Sequence, residues 1–268
     1  SALLLQTPEA MQQKFRVDVR IKNEAVAIDR EAKTVTVRKV DTGETYTETY
    51  DTLVISTGSS PVRPPIPGID HPRVHTLWTV PDADSIRTLI AEQHAKTAVV
   101  VGGGFIGLEM AENLRHAGLT VSLVEMLDQV MAPLDFEMAQ LLHENITQNG
   151  VHLYLGDGVS AFQSEDVGVS VKLKSGKALH ADLVILSIGV KPNGELAKNA
   201  GLTVNARGGI VVDDTLHTSD PNIYAVGDVI EVRDLVTGEP TMIPLAGPAN
   251  KQGRIAANNI AGAHETYA

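Results

Sequence analysis

The chain has 268 residues, 43% of them hydrophobic, with 23 glycines and 13 prolines, a length and composition that suit two modest cores joined by many tight turns. Its net charge of −11 leaves no basic face for nucleic acid, its lack of cysteine excludes disulfides and a thiol nucleophile in these residues, and its nine scattered histidines give no metal-ligand spacing, so no metal is expected. No apolar run reaches the roughly 18 residues of a membrane span, and Ser1–Gln6 lacks the basic flank and length of a signal sequence, so a cytoplasmic protein with no membrane partner is expected.

In chain order, the alternating run Val35-Thr36-Val37 and the turn at Gly43 predict an antiparallel hairpin. Asp51–Gly58 (DTLVISTG) then predicts a buried parallel strand, its continuous apolar run ending in glycine. Ser59–His75, with prolines at 61, 64, 65, 67 and 72, reads as a stiff connector. Thr97–Val101 is a β-branched strand running into Gly102-Gly103-Gly104-Phe105-Ile106-Gly107, and Phe105–Ala117 carries helical spacing at Ile106, Met110 and Leu114, closing at Gly118. Val121–Val124 predicts the next strand, ending at Glu125; Asp135 can cap a packing helix with apolar positions Phe136, Ala139, Leu142 and Ile146, stopped by Gly150. Val169-Ser170-Val171, a turn at Gly176 and Asp182–Gly189 (DLVILSIG) repeat the earlier meander-then-strand order. Lys191–Gly194 marks a return crossing, Ile223–Val226 is a short buried strand ending at Gly227-Asp228, and Gly253–Ile260 falls in a closing helix.

The meander-and-strand unit occurs twice but the glycine fingerprint once, which predicts one complete nucleotide-binding module set inside half of another. In the complete one, residues 97–190, Gly102 allows a sharp turn, Gly104 admits a pyrophosphate to the backbone, and Gly107 lets helix and strand pack closely, with helix N-terminal N–H groups facing the phosphates. Glu125 would accept hydrogen bonds from a ribose diol, and a 2′-phosphate there would meet its charge with no cation in Met126, Leu127 or Asp128 to compensate; NAD(H) is preferred over NADP(H). Phe105 and Glu109 read from spacing alone as core and solvated helix charge, and Asp228 reads equally as a ligand-facing acid or a turn cap.

The strings STGSSP (Ser56–Pro61), GGGFIGLEMAENL, IYAVGDV and PLAGPANKQGRIAANNI stand in an order that resembles the pyridine nucleotide-disulfide oxidoreductase superfamily over essentially the whole chain. The single-cysteine branch is most similar: coenzyme A-disulfide reductases, NADH oxidases and coenzyme A-dependent polysulfide reductases. The resemblance implies an α/β fold in which a complete Rossmann-like NADH-binding domain, with parallel sheet and antiparallel meander, is inserted into a partial FAD-binding domain. Its implied boundaries are 1–75 for the first FAD part and connector, 76–190 for the NADH domain, and 191–268 for the returning FAD part. It makes Asp228 the acid that bonds the FAD ribitol, with Gly227 allowing close approach, and lays Pro244, Leu245, Ala246 and Gly247 against the flavin ring. A helix from near Pro248 would point its positive end at the flavin pyrimidine, stabilising the reduced anion. Phe105 would cover the flavin until nicotinamide displaces it, Glu109 would orient the carboxamide, Thr57 and Gly58 would form the turn between modules, and Gly189 its counterpart beside NADH.

The family's upstream FAD fingerprint, redox cysteine and C-terminal dimer domain have no match in these residues, so a central fragment of a longer, homodimeric enzyme is expected, itself without a catalytic residue. NADH binding should survive in it, FAD should bind weakly or not at all, and Leu53–Ile55 and Ile223–Val226, lacking neighbours on one side, should self-associate or disorder. The parent's acceptor would be a small-molecule disulfide, polysulfide or oxygen species. The alternatives are a stand-alone NADH-binding or redox-sensing module without catalysis, and an inactive interaction domain.

Overall fold

The computed structural model describes residues 6–267, so residues 1–5, most of the stretch read for a signal sequence, lie outside the described residues. Two compact units form, one from the chain's two ends, up to Ser59 and from Pro192 onward, the other from Ser60–Lys191.

The first unit opens with a helix that no periodicity announces, α1 (Pro8–Phe15), set by cap chemistry: Thr7 accepts the Ala10 N–H, and Pro8 occupies the first turn, where its missing donor costs nothing. β1 (Asn23–Asp29), β2 (Thr34–Lys39) and β3 (Thr45–Thr49) form the expected antiparallel meander, with Gly43 at φ +75° in the turn. β4 (Leu53–Ile55) follows.

The proline-rich stretch is more than a stiff connector. β5 (Ser59–Pro61) begins it, β6 (Val74–Thr76) ends it as an edge strand of the second unit, and between them Pro67 accepts the Phe162 N–H at 2.8 Å while Ile66 and Ile69 join that unit's core. The first crossing therefore falls at 59/60 rather than 75/76, because the stretch offers carbonyls and isoleucines that the second unit uses even where proline offers no N–H.

Along the rest of the second unit run α2 (Val80–Ala91), β7 (Thr97–Val101), α3 (Phe105–His116), β8 (Thr120–Val124), α4 (Phe136–Gln148), β9 (Val151–Tyr154), β10 (Val159–Ser164), β11 (Val169–Leu173), β12 (Ala178–Ala181) and β13 (Leu183–Leu186). A five-stranded parallel sheet, ordered β6-β13-β7-β8-β9, is its middle layer. Successive side chains alternate between faces: Val100, Leu123 and Ile185 pack with Ile86, Leu114 and Ala111 of the helices, while Val99, Val124 and Val184 pack with Phe162 and Val171 of the β10–β12 meander. With both faces covered, these strands read as unbroken apolar runs.

Two helix expectations need correcting. Asp135 precedes α4, but its side chain makes no capping bond; its carbonyl accepts the Met138 and Ala139 N–H groups, and Phe136 is exposed. On α3 the buried stripe is Gly107, Ala111 and Leu114, with Ile106 and Met110 only half-buried, because the small residues are what let the helix lie close to the sheet.

The return to the first unit passes through β14 (Val190–Pro192), which pairs with β5, then α5 (Glu195–Asn199), β15 (Ile210–Val211), β16 (Ile223–Ala225), a 3-10 turn at Gly227–Val229, β17 (Ile230–Arg233), β18 (Pro240–Thr241) and α6 (Ala246–Ile260). β16 and β4 pair in parallel, Ile223 opposite Leu53. The other edge of β16 is not left open as expected: residues 216–218 run antiparallel beside it, with the Ala225 N–H donating to the Leu216 carbonyl and the Thr218 N–H to the Ile223 carbonyl. Burial on β4 is one-sided, with Ile55 inside and Val54 40% exposed. α6 starts two residues before Pro248, which sits in the first turn, where its ring meets no preceding helical carbonyl.

Candidate functional site

In the second unit the chain leaves β7 toward β8 on one side while β13 flanks it on the other, so the carboxyl end of β7 is a topological switch point, where open α/β sheets bind ligands. The glycine turn sits there. Gly102 has φ +108°, and a Cβ on it would lie 2.4 Å from the Ser187 carbonyl oxygen; the Gly102 N–H donates to the Val124 carbonyl at 2.8 Å. A Cβ on Gly107 would lie 1.9 Å from the Gly102 carbonyl oxygen, so glycine here is a packing requirement. Gly104 differs: nothing lies within 4 Å of its Cβ position, and as N-cap of α3 it has no side chain to satisfy the first-turn N–H groups. Exposed Gly104 and the N-terminal N–H groups of α3 at Phe105 and Ile106 thus form an open donor cradle at the positive end of a helix, a fit for a diphosphate.

Glu125 follows β8 directly and is tied to that cradle. One carboxylate oxygen accepts the Gly103 N–H at 2.6 Å and the other accepts the Leu127 N–H at 2.8 Å. Two oxygens offer about four acceptor directions, so half-buried Glu125 keeps capacity for ribose hydroxyls. Phe105 is 59% exposed, which removes the core reading of its side chain, and Glu109, one turn along α3, is exposed too. Gly189, at φ +105°, lies in the turn beyond β13, its carbonyl accepting the Val62 N–H.

The first unit carries a second cluster. Asp228 lies just past β16, where one carboxylate oxygen accepts the hydroxyl of buried Ser59 at 2.9 Å. Gly227, at φ +82°, donates its N–H to the side-chain oxygen of Gln252, a residue of α6 only 2% exposed. The geometry speaks against the cap alternative for Asp228: among the described residues no backbone N–H bonds its carboxylate, which accepts a hydroxyl from 169 residues away. Pro244, Leu245 and Ala246 are exposed on the way into α6, whose N-cap Leu245 supplies no capping bond, and the Cβ position of Gly247 is open. Uncapped N–H groups and an aspartate beside a glycine with positive φ suit a polar cofactor edge. Thr57 and Asn193 exchange side-chain bonds to each other's backbone carbonyls at 2.8 and 2.9 Å, and Gly58, at φ +65°, accepts the Asn193 N–H.

Ser59 and Gln252 escaped the reading of the sequence, as did the loop after β8. Ser59 stands inside STGSSP, and only contact with a chain position 169 residues away gives it a role. In the loop, Met131 donates its N–H to the Gly103 carbonyl, and Val130 donates its N–H to His143 of α4.

The pyridine nucleotide-disulphide oxidoreductase family matches residues 4–253. An NADH oxidase of Methanocaldococcus jannaschii is 38% identical over 99% of this chain and 59% of the relative. A coenzyme A disulfide reductase of Staphylococcus aureus is 31% identical over 97% of the chain and 58% of the relative. The crystal structure of reduced Bacillus anthracis CoADR-RHD superposes with a TM-score of 0.94 at 49% identity, covering 99% of this chain and 48% of that one. The chain thus spans about half to three fifths of the length of these proteins. With a parallel sheet, two antiparallel meanders and the glycine turn in the family's order, this chain belongs to the pyridine nucleotide-disulphide oxidoreductase family.

Proposed function

We propose that the second unit binds NADH and that the first contributes to an FAD site, the two serving a flavin-dependent NADH:disulfide oxidoreductase. The observation that carries the reading is the coupling of Glu125 to the open glycine cradle through the Gly103 N–H at 2.6 Å. It holds a ribose acceptor and a diphosphate donor set in fixed relation. Gly102 and Gly107 set the turn and the close packing behind the cradle, Gly104 and the Phe105 and Ile106 N–H groups form it, Glu125 takes the ribose and disfavours a 2′-phosphate, and the Phe105 ring, Glu109 and Gly189 border the nicotinamide side. Asp228, Gly227, Pro244, Leu245, Ala246, Thr57 and Gly58 border the flavin. FAD, when bound, would accept a hydride and pass electrons toward a disulfide, polysulfide or oxygen acceptor. The names of the relatives, an NADH oxidase and a coenzyme A disulfide reductase, support this acceptor class. These residues hold no cysteine, so the chain supplies no thiol to the acceptor step.

NADH titration followed by fluorescence tests the reading. Saturable binding is expected, with Glu125→Arg weakening NADH about tenfold or more, as loss of a charge-assisted bond does, and narrowing the preference against NADPH. No saturable binding, or an unchanged affinity in the variant, would overturn it.

A further inference from the structure

The loop between β8 and α4 closes over the glycine turn and is fastened from three sides. Its start is held by Glu125, which accepts the Leu127 N–H, and its middle by Met131, whose N–H reaches the Gly103 carbonyl at 2.8 Å. The third fastening is His143, two turns into α4, whose Nε2 accepts the Val130 N–H at 3.1 Å. Val130 is fully buried directly over Gly103, where a Cβ would come within 2.9 Å of its Cγ1. Met131 holds φ +50°, a left-handed backbone that non-glycine residues rarely adopt, so the loop keeps this shape only while its anchors hold.

The hydrogen bonds settle the imidazole's state. Gln140 donates its amide to the Phe136 carbonyl at 3.2 Å, leaving its oxygen, 3.3 Å from His143 Nδ1, as an acceptor. The ring proton therefore sits on Nδ1, and Nε2 is free to accept from Val130. A second proton would put an N–H against the Val130 N–H. The elements around the ring carry Glu137 and Glu144 on α4, Glu125, Asp128 and Asp135 on the loop, His152 on β9, and Glu109, Glu112, Arg115 and His116 on α3. Among the described residues the ring's hydrogen bonds go to Val130 and Gln140, not to any of these groups. Burial lowers the His143 pKa from the usual 6.5.

We infer that neutral His143 is a positioning residue for the nucleotide cradle: through Val130 and Met131 it holds Gly103 and Glu125 in place, and its protonation releases the loop and weakens binding of the adenosine diphosphate half of the ligand. The inference rests on the nucleotide reading above.

ADP-ribose, which carries that half and is stable in acid, is the probe, with dissociation constants measured by calorimetry on the whole chain. Between about pH 8 and about pH 5 the affinity should fall about five- to tenfold, the worth of one buried hydrogen bond, with a midpoint below the usual histidine value. His143→Leu should bind weakly at every pH with a flat profile. His143→Gln, which keeps an acceptor but cannot titrate, should recover most of that loss and stay flat. Parallel profiles for the wild type and His143→Gln, or wild-type affinity in His143→Leu at neutral pH, would overturn the role of His143 while leaving the nucleotide reading intact. No saturable ADP-ribose binding by the wild type at neutral pH would overturn both.

Discussion

Gly107 has no room for even a methyl group: a Cβ would overlap the Gly102 carbonyl oxygen at 1.9 Å and crowd the Ser187 hydroxyl at 2.8 Å. Gly107→Ala should force α3 off the sheet, costing about 1–3 kcal/mol of stability and abolishing NADH binding. Urea denaturation and a titration check both; wild-type values would contradict the packing account. At the opposite end of the sheet, Asp182 accepts hydrogen bonds from the Lys96 and Thr97 N–H groups and the Thr97 hydroxyl at 2.9–3.0 Å. Burial alone would raise its pKa, but these donors outweigh it and hold the carboxyl below the usual 3.8. A depressed carboxylate stabilises the fold fully above its ordinary value and loses that contribution as pH falls through the lowered one. Asp182→Asn should therefore cost about 1–3 kcal/mol at neutral pH, with the gap to wild type closing below about pH 4. A penalty unchanged between neutral and acid pH would show that the charge is not what matters.

At the scale of elements, α2 begins with a capping box in which the Thr79 hydroxyl accepts the Asp82 N–H while the Asp82 carboxylate accepts the Thr79 N–H. Because α2 buries Ile86 and Leu89 against the sheet beside the edge strand β6, fraying of its first turn should loosen that edge. Thr79→Ala is expected to cost about 1 kcal/mol and to speed amide exchange in α2 and β6 ahead of β7 and β8. Uniform acceleration across the sheet would count against a local cap. The meanders, β7, α3 and β8 were legible in the sequence because two-residue alternation, β-branched runs and positioned glycines are local signals. α1 and the strand ends of the proline-rich stretch were not. Eight residues are too short for a period to emerge, and β6 is a strand only because β13 lies beside it.

For the whole molecule, the proposed NADH cradle lies entirely within Ser60–Lys191, so ligand binding should stabilise that unit by mass action. At a hundredfold excess over the dissociation constant, amides of β7, β8 and β13 should gain about 2.7 kcal/mol of protection, with those of β1–β3 unchanged. Equal protection in both units by hydrogen exchange would show that the site is not self-contained. The first unit is fastened differently, by bonds that leap the chain: Arg30 to Asp220, Lys33 to Asn222 and Ser59 to Asp228. None of these pairs has a sequence signature, since hydrogen-bond partners 169 to 190 residues apart become neighbours only when β4 and β16 align.

By itself the amino-acid sequence determined the repeated meander-and-strand plan, the glycine turn and its terminal acid, because each rests on backbone freedom, alternation or spacing within a short window. It also showed that one module is nested in another. Only the tertiary structure decided where the first crossing falls, that Ser59 and Gln252 brace the Asp228 turn, and that His143 reaches back over the glycine loop. Each of these depends on which surfaces meet after folding, and a polar side chain gains its role from the partner that burial brings to it.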